Sequence, residues 1–177
     1  MTCILAVYDS AEGIMYLAGD TLTTTVNMST MVDTKIVKHN KFLVGCAGTR
    51  SAQNYMESRL SKLEPNQALN TDLVGRIYSS WPRDLSLYPI EYVKGLDGEF
   101  LLVDNSNIFY MGTIVGYYQT QKHFMAIGSG APVAIGAYDA LSHVPGLSTI
   151  EIINRTFQTV ARNCASVNDN VKLLTLR

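Results

Sequence analysis

Charge and cysteine are scarce in this chain, and each shortage removes a class of protein. Only 16% of the 177 residues are charged, and 14 Lys+Arg stand against 15 Asp+Glu for a net charge of −1. No run of five basic residues occurs, which argues against a nucleic-acid partner bound through a basic face. The three cysteines, Cys3, Cys46 and Cys164, are odd in number and never in CxxC spacing, which suits buried thiols in a reducing compartment better than a disulfide framework or a zinc site. His39, His123 and His143 have no i,i+4 pairing and no carboxylate at ligand spacing, so no metal and no cofactor is expected. Long apolar runs are missing too. Residues 124–141 come nearest to one, but Gly128, Gly130, Pro132, Gly136 and Asp139 interrupt them, and no membrane span is expected. The N-terminal apolar stretch lacks a basic leader and stops at Tyr8-Asp9, so it reads as a strand and not as a secretory signal; a cytoplasmic location is expected.

What is present is apolar: 47% of residues are hydrophobic, too many for a disordered chain. The length suits one domain over residues 1–177, burying roughly 70% of the unfolded chain's surface. Short apolar runs bounded by turn residues predict strands over residues 3–8 and 14–19, joined by a turn at 9–13, and a second pair over 35–38 and 42–47. A Thr-rich polar connection, 21–34, lies between the two pairs. Apolar spacing then turns helical, predicting helices over 51–63 and 69–80, the second ended by Trp81-Pro82. Residues 84–94 carry no readable period. A third hairpin is predicted over 99–103 and 108–111, then a central strand over 123–127 and a helix beyond Gly130. The last helix has the clearest start, because Ser148-Thr149-Ile150-Glu151 forms a capping box; its buried face is Ile153, Phe157, Val160, Ala161 and Cys164. A closing strand over 171–176 follows. Strands, two helices, strands, two helices and a strand suit an α+β fold with two antiparallel sheets between helical layers.

Two local motifs invite chemistry. Gly128-Ser129-Gly130 follows a strand, but the third glycine of a dinucleotide fingerprint would fall at Val133, and the serine is not in a GxSxG elbow. Thr2 stands directly after Met1. Removal of Met1 would put an α-amine and a hydroxyl on one residue, a nucleophile with its base built in, and an α-amine has an ordinary pKa of about 7.7–8.0. On its own, a strand residue is the plainer reading of Thr2.

Thr2-Cys3-Ile4-Leu5-Ala6-Val7, Ala18-Gly19-Asp20-Thr21, Thr34-Lys35-Ile36, Val44-Gly45-Cys46-Ala47-Gly48-Thr49 and Ile127-Gly128-Ser129-Gly130 occur in an order and spacing that resemble proteasome β-type subunits, especially the HslV-like peptidases. The likeness is good over 2–63 and 123–140, fair over the last helix and strand, and poor over 66–120. It implies the N-terminal nucleophile (Ntn) hydrolase fold, a four-layer αββα sandwich, and a threonine protease acting on unfolded polypeptides. In these terms Thr2 is the nucleophile, Lys35 stabilises its charge, Asp20 holds Lys35, the Gly48 amide forms the oxyanion hole, and Ser129 bonds near the new N-terminus. The resemblance further implies a homo-oligomeric ring enclosing the sites and an ATPase unfoldase partner. Two departures stand out. Asn163 replaces the supporting Asp of the last helix, with Ser166 matching a further family serine. Arg50, with Cys46, falls where the family lines its primary specificity pocket, usually with a smaller residue than arginine. A second reading, from another class, is an assembly subunit that keeps the sandwich without catalysis; a third is an amidohydrolase of the same superfold acting on a small amide.

Overall fold

The fold, taken from a computed structural model, is described here for residues 2–24, 29–31, 35–64, 66–85 and 96–177. Its strands are β1 (Ile4–Asp9), β2 (Ile14–Asp20), β3 (Leu22–Thr24), β4 (Ser29–Met31), β5 (Ile36–His39), β6 (Phe42–Gly48), β7 (Gly98–Val103), β8 (Ile108–Gly112), β9 (Gly116–Gln119), β10 (Phe124–Ile127) and β11 (Val171–Leu176). The helices among the described residues are α1 (Arg50–Leu60), α2 (Thr71–Leu85), α3 (Ala131–Ser142) and α4 (Thr149–Asn163). One antiparallel sheet has the order β10-β1-β2-β11 and a second the order β5-β6-β7-β8-β9; β3 and β4 pair separately.

Strand alternation builds the layers. On β1, Ile4 and Ala6 face the second sheet, in a cluster with Leu17, Ile36, Leu43, Leu101 and Val103. Cys3, Leu5 and Val7 point the other way, onto Ala134 and Tyr138 of α3 and Ile153, Phe157 and Val160 of α4. The far face of the second sheet carries Val44, Phe100 and Leu102 under Ala52 and Met56 of α1 and Leu73, Ile77 and Trp81 of α2. This is the αββα sandwich expected, and burial on both faces explains why β1 reads as a continuous apolar run instead of an alternating one. The sheets meet closely: a Cβ on Gly45 would lie 2.6 Å from Ile4 Cγ2, and one on Gly19 would lie 3.0 Å from Ile36 Cγ2. The capping box of α4 is formed, with the Ser148 side chain accepting from the Glu151 amide and the Glu151 carboxylate accepting from the Ser148 amide.

Four expectations need correction. The connection over 21–34 contains the β3–β4 pair, in keeping with the strand preference of β-branched threonine. The second helix runs through Trp81-Pro82 to Leu85. Proline costs a helix about 3 kcal/mol. Against that stands the burial of Trp81, whose ring lies edge-on to Tyr55 at 4.4 Å and 5.3 Å from Phe100. The strand expected to be central, β10, is an edge of its sheet and pairs with β1, with Phe124 and Met125 only half-buried. Finally, β9 extends the third hairpin into a meander that apolar patterning does not signal. The unassigned residues 84–94 are described only as far as Leu85; the remainder, with Met1 and Thr34, lies outside the described residues.

Candidate active site

Antiparallel pairing brings the start of β1 to the end of β2. Ile4 lies opposite Gly19, so Asp20 arrives beside Cys3, and the Asp20 amide donates to the Cys3 carbonyl at 3.1 Å. The Asp20 carboxylate is almost wholly buried and, among the described residues, accepts three hydrogen bonds: Oδ1 from the Cys3 amide at 2.8 Å, Oδ2 from the Leu22 amide at 3.2 Å and from Lys35 Nζ at 2.8 Å. Burying an acidic and a basic side chain in this way is tolerated only when they are paired and hydrogen-bonded, and both conditions hold here. Lys35 Nζ also donates to the Leu22 carbonyl, and the Lys35 carbonyl accepts from the Cys46 amide at 2.9 Å, which fastens the lysine to β6.

The loop after β10 holds Thr2 from the other side. The Thr2 nitrogen donates to Ser129 Oγ at 3.3 Å, and the Thr2 carbonyl accepts from the Gly130 amide at 3.2 Å and from Ser129 Oγ at 3.5 Å. This approach depends on Gly128. Its φ is +87°, and a Cβ there would sit 2.3 Å from the Thr2 carbonyl oxygen. Thr2 itself is 8% exposed. Gly48 ends β6 opposite Gly98, at the strand-to-helix junction where Thr49 caps α1 by accepting from the Ala52 amide. A Cβ on Gly48 would lie 2.5 Å from the Asp97 carbonyl oxygen, so only glycine lets the two strands end so close together. The first turn of a helix favours negative charge, which suits this junction to a developing oxyanion.

Thr2 with Ser129 and Asp20 with Lys35 therefore form two hydrogen-bonded groups that meet at the Thr2–Cys3 peptide. Asn163 is placed differently: it is exposed at the last residue of α4, with Nδ2 donating to the Thr159 carbonyl of its own helix at 2.8 Å. Ser166 is buried in the segment between α4 and β11. Cys46 is buried, and burial pushes its thiol up to about 12. Arg50 opens α1, where its Nη1 donates to Gln53 Oε1 at 3.1 Å, and Gln53 Nε2 donates on to Glu57 at 2.8 Å. The Cys3 thiol, next in sequence to Thr2, is also pushed up to about 12, by burial and then by the Asp20 charge; it stays protonated and offers no rival nucleophile.

Sequence reasoning missed two supporting side chains. Asn168 accepts from the Thr21 amide at 3.1 Å and donates to Thr21 Oγ1 at 3.2 Å, fixing the residue after Asp20. Glu99 accepts from the Gly128 amide at 3.0 Å. Its only signal in the sequence is a carboxylate at the head of the apolar run Phe100-Leu101-Leu102-Val103.

No family model matches the chain. The ATP-dependent protease subunit HslV of Desulfovibrio desulfuricans is 31% identical over 186 residues, covering 99% of this chain and 97% of that protein. The subunit of the same name from Caldicellulosiruptor saccharolyticus is 27% identical over 180 residues, covering 99% and 98%. Among solved structures, eukaryotic HslV from Trypanosoma brucei matches with a TM-score of 0.81 at 20% identity, covering 99% of both chains. Thiobacillus denitrificans BPH in complex with epoxomicin matches with a TM-score of 0.78 at 21% identity, covering 99% of this chain and 98% of that one.

Proposed function

Because the chain belongs to the HslV family of protease subunits, we propose that the group around Thr2 is its hydrolytic centre, with the Thr2 hydroxyl as nucleophile. The chain is a threonine-type endopeptidase subunit of a compartmentalised, proteasome-like protease, built on the Ntn-hydrolase sandwich. The observation that carries the residue assignment is the buried Asp20 carboxylate, which joins the Cys3 amide on the nucleophile's strand to the Lys35 ammonium.

Once Met1 is removed, the Thr2 amine is the base. Thr2 Oγ attacks the scissile carbonyl carbon while its proton passes to the amine, directly or through a water. The resulting oxyanion accepts from the Gly48 amide. Collapse expels the amine half of the substrate, which takes up the proton and leaves an ester on Thr2. Water then attacks the ester carbonyl, giving its proton to the Thr2 amine, which returns it to Thr2 Oγ as the acyl–oxygen bond breaks and the acid product leaves. An ammonium carries three donors. Among the described residues Asp20 and the Leu22 carbonyl take two of those on Lys35, and the third is assigned to the Thr2 pair, where positive charge favours the neutral, basic form of the amine. Ser129 steadies the new terminus. The exposed Asn163 supplies no charge to the centre, and buried Ser166 acts as packing for the segment behind it.

Intact-mass measurement of natively expressed protein, combined with a peptide electrophile directed at N-terminal threonine, tests this assignment. The expected result is a dominant species lacking Met1 that takes one label on Thr2. A dominant species that retains Met1, takes no label and cleaves no peptide would overturn it in favour of the assembly-subunit reading.

We assign Cys46 and Arg50 to the primary specificity pocket, with the guanidinium favouring acidic side chains at P1. Arg50 is exposed, so the expected gain is modest: Arg50→Ala should lower kcat/KM for acidic P1 peptides by about two- to fivefold and leave apolar P1 peptides unchanged. A wild-type preference for large basic P1 residues would reject the assignment. A cytoplasmic homo-oligomeric ring, fed by an ATPase unfoldase, completes the proposal. Its support here is apolar surface at the β8–β9 turn, where Ile114 and Val115 are about 80% exposed in the single chain and a neighbouring subunit would cover them. No helix among the described residues is long and apolar enough to cross a membrane.

A further inference from the structure

We infer that Glu99 is a positioning residue for hydrolysis: its carboxylate clamps the Gly128-Ser129-Gly130 turn, and through it Thr2, onto the sheet that carries Gly48. The inference rests on Thr2 being the nucleophile. In that reading nucleophile and oxyanion donor sit on different sheets, Thr2 at the head of β1 and Gly48 at the end of β6. Something must hold the two sheet ends in register, and apolar packing alone leaves room to slide.

Glu99 spans that gap. It lies on β7 directly opposite Ala47 of β6, one pair away from Gly48–Gly98, and its Oε2 accepts from the Gly128 amide across the sandwich at 3.0 Å. The turn is seated on the same spot, since a Cβ on Gly128 would be 3.1 Å from the Ala47 Cβ. That turn in turn holds both ends of Thr2, the nitrogen through Ser129 and the carbonyl through Gly130. The carboxylate is aimed by a second contact. Tyr110, on β8, donates its hydroxyl to Glu99 Oε1 at 3.1 Å by reaching over Gly112, where a Cβ would lie 2.5 Å from the phenol oxygen. Burial and the Glu99 charge push that phenol up to about 12, so it remains a donor through the whole working range. With Oε1 held by Tyr110, Oε2 is left facing the Gly128 amide. A fixed acceptor at this amide fixes the left-handed turn, and small displacements of reacting groups cost large factors in rate.

The test compares Glu99→Ala, Glu99→Gln and Tyr110→Phe in the assembled protease, by steady-state peptide hydrolysis and by hydrogen–deuterium exchange over peptides containing residues 124–131. Glu99→Ala should lower kcat by about 10- to 100-fold with KM within twofold of wild type, and should speed exchange at the turn. Glu99→Gln keeps a carbonyl acceptor for the Gly128 amide and should restore kcat to within about threefold and exchange to the wild-type rate. Tyr110→Phe should fall between them. Glu99→Ala with wild-type kcat, with or without faster exchange, overturns the inference, as does a Glu99→Gln enzyme impaired as deeply as Glu99→Ala. A wild-type protein that neither cleaves peptide nor takes label at Thr2 is the separate failure of the nucleophile assignment, and the exchange comparison then still reports whether Glu99 holds the turn.

Discussion

Thr2→Ala is expected to lower kcat/KM for an unstructured peptide substrate by about 10⁴-fold or more, with the melting temperature unchanged within about 2 °C. The fold survives because the contacts that hold residue 2 are main-chain contacts: its nitrogen meets Ser129 Oγ and its carbonyl meets the Gly130 amide. Alanine keeps both and removes the hydroxyl together with the γ-methyl. Thr2→Ser, which keeps the hydroxyl, should retain measurable turnover and electrophile labelling. The measurements are hydrolysis kinetics and thermal unfolding on each variant after mass spectrometry has confirmed loss of Met1. Full activity in Thr2→Ala would place the nucleophile elsewhere.

Lys35→Met separates structure from chemistry. Removing the ammonium leaves the Asp20 carboxylate buried against the Cys3 and Leu22 amides without the charged partner it has among the described residues. Breaking a buried pair in this way costs about 3–5 kcal/mol, or a melting temperature lower by roughly 10 °C in a chain of this size. If Lys35 organises the nucleophile as proposed, activity should fall by about 10³-fold. The double variant Lys35→Met/Asp20→Asn removes the orphaned charge as well. It should recover much of the lost melting temperature and none of the activity. Recovery of both would make Lys35 a structural residue, and recovery of neither would point to a broader collapse of the β2–β5 corner.

Much of the architecture was legible because it is local. The β1–β2 hairpin, the capping box of α4 and the closing strand β11 are each announced within a few residues, by turn chemistry, by Ser148 with Glu151, and by a polar turn before an apolar run. Where local preference and packing disagree, packing prevails. The helix through Pro82 persists alongside a buried Trp81, and β10 sits at a sheet edge although its short apolar run resembles a strand flanked on both sides.

The candidate catalytic group shows the same division. Asp20, Lys35 and Ser129 were named by position within motifs, and the folded chain sets Lys35 on Asp20 across 15 residues and Ser129 on Thr2 across 127. Asn163, also named by position, is turned to its own helix. Glu99 was invisible from sequence, because an acid beside an apolar run has no meaning until β7 is packed across from the turn after β10. Sequence alone thus determined most of the order of elements, from signals a few residues apart, and a resemblance spread along the chain named the candidate nucleophile. Only tertiary structure brought Glu99 to the turn after β10, since a side chain's partner is set by the packing of two sheets and not by its place along the chain.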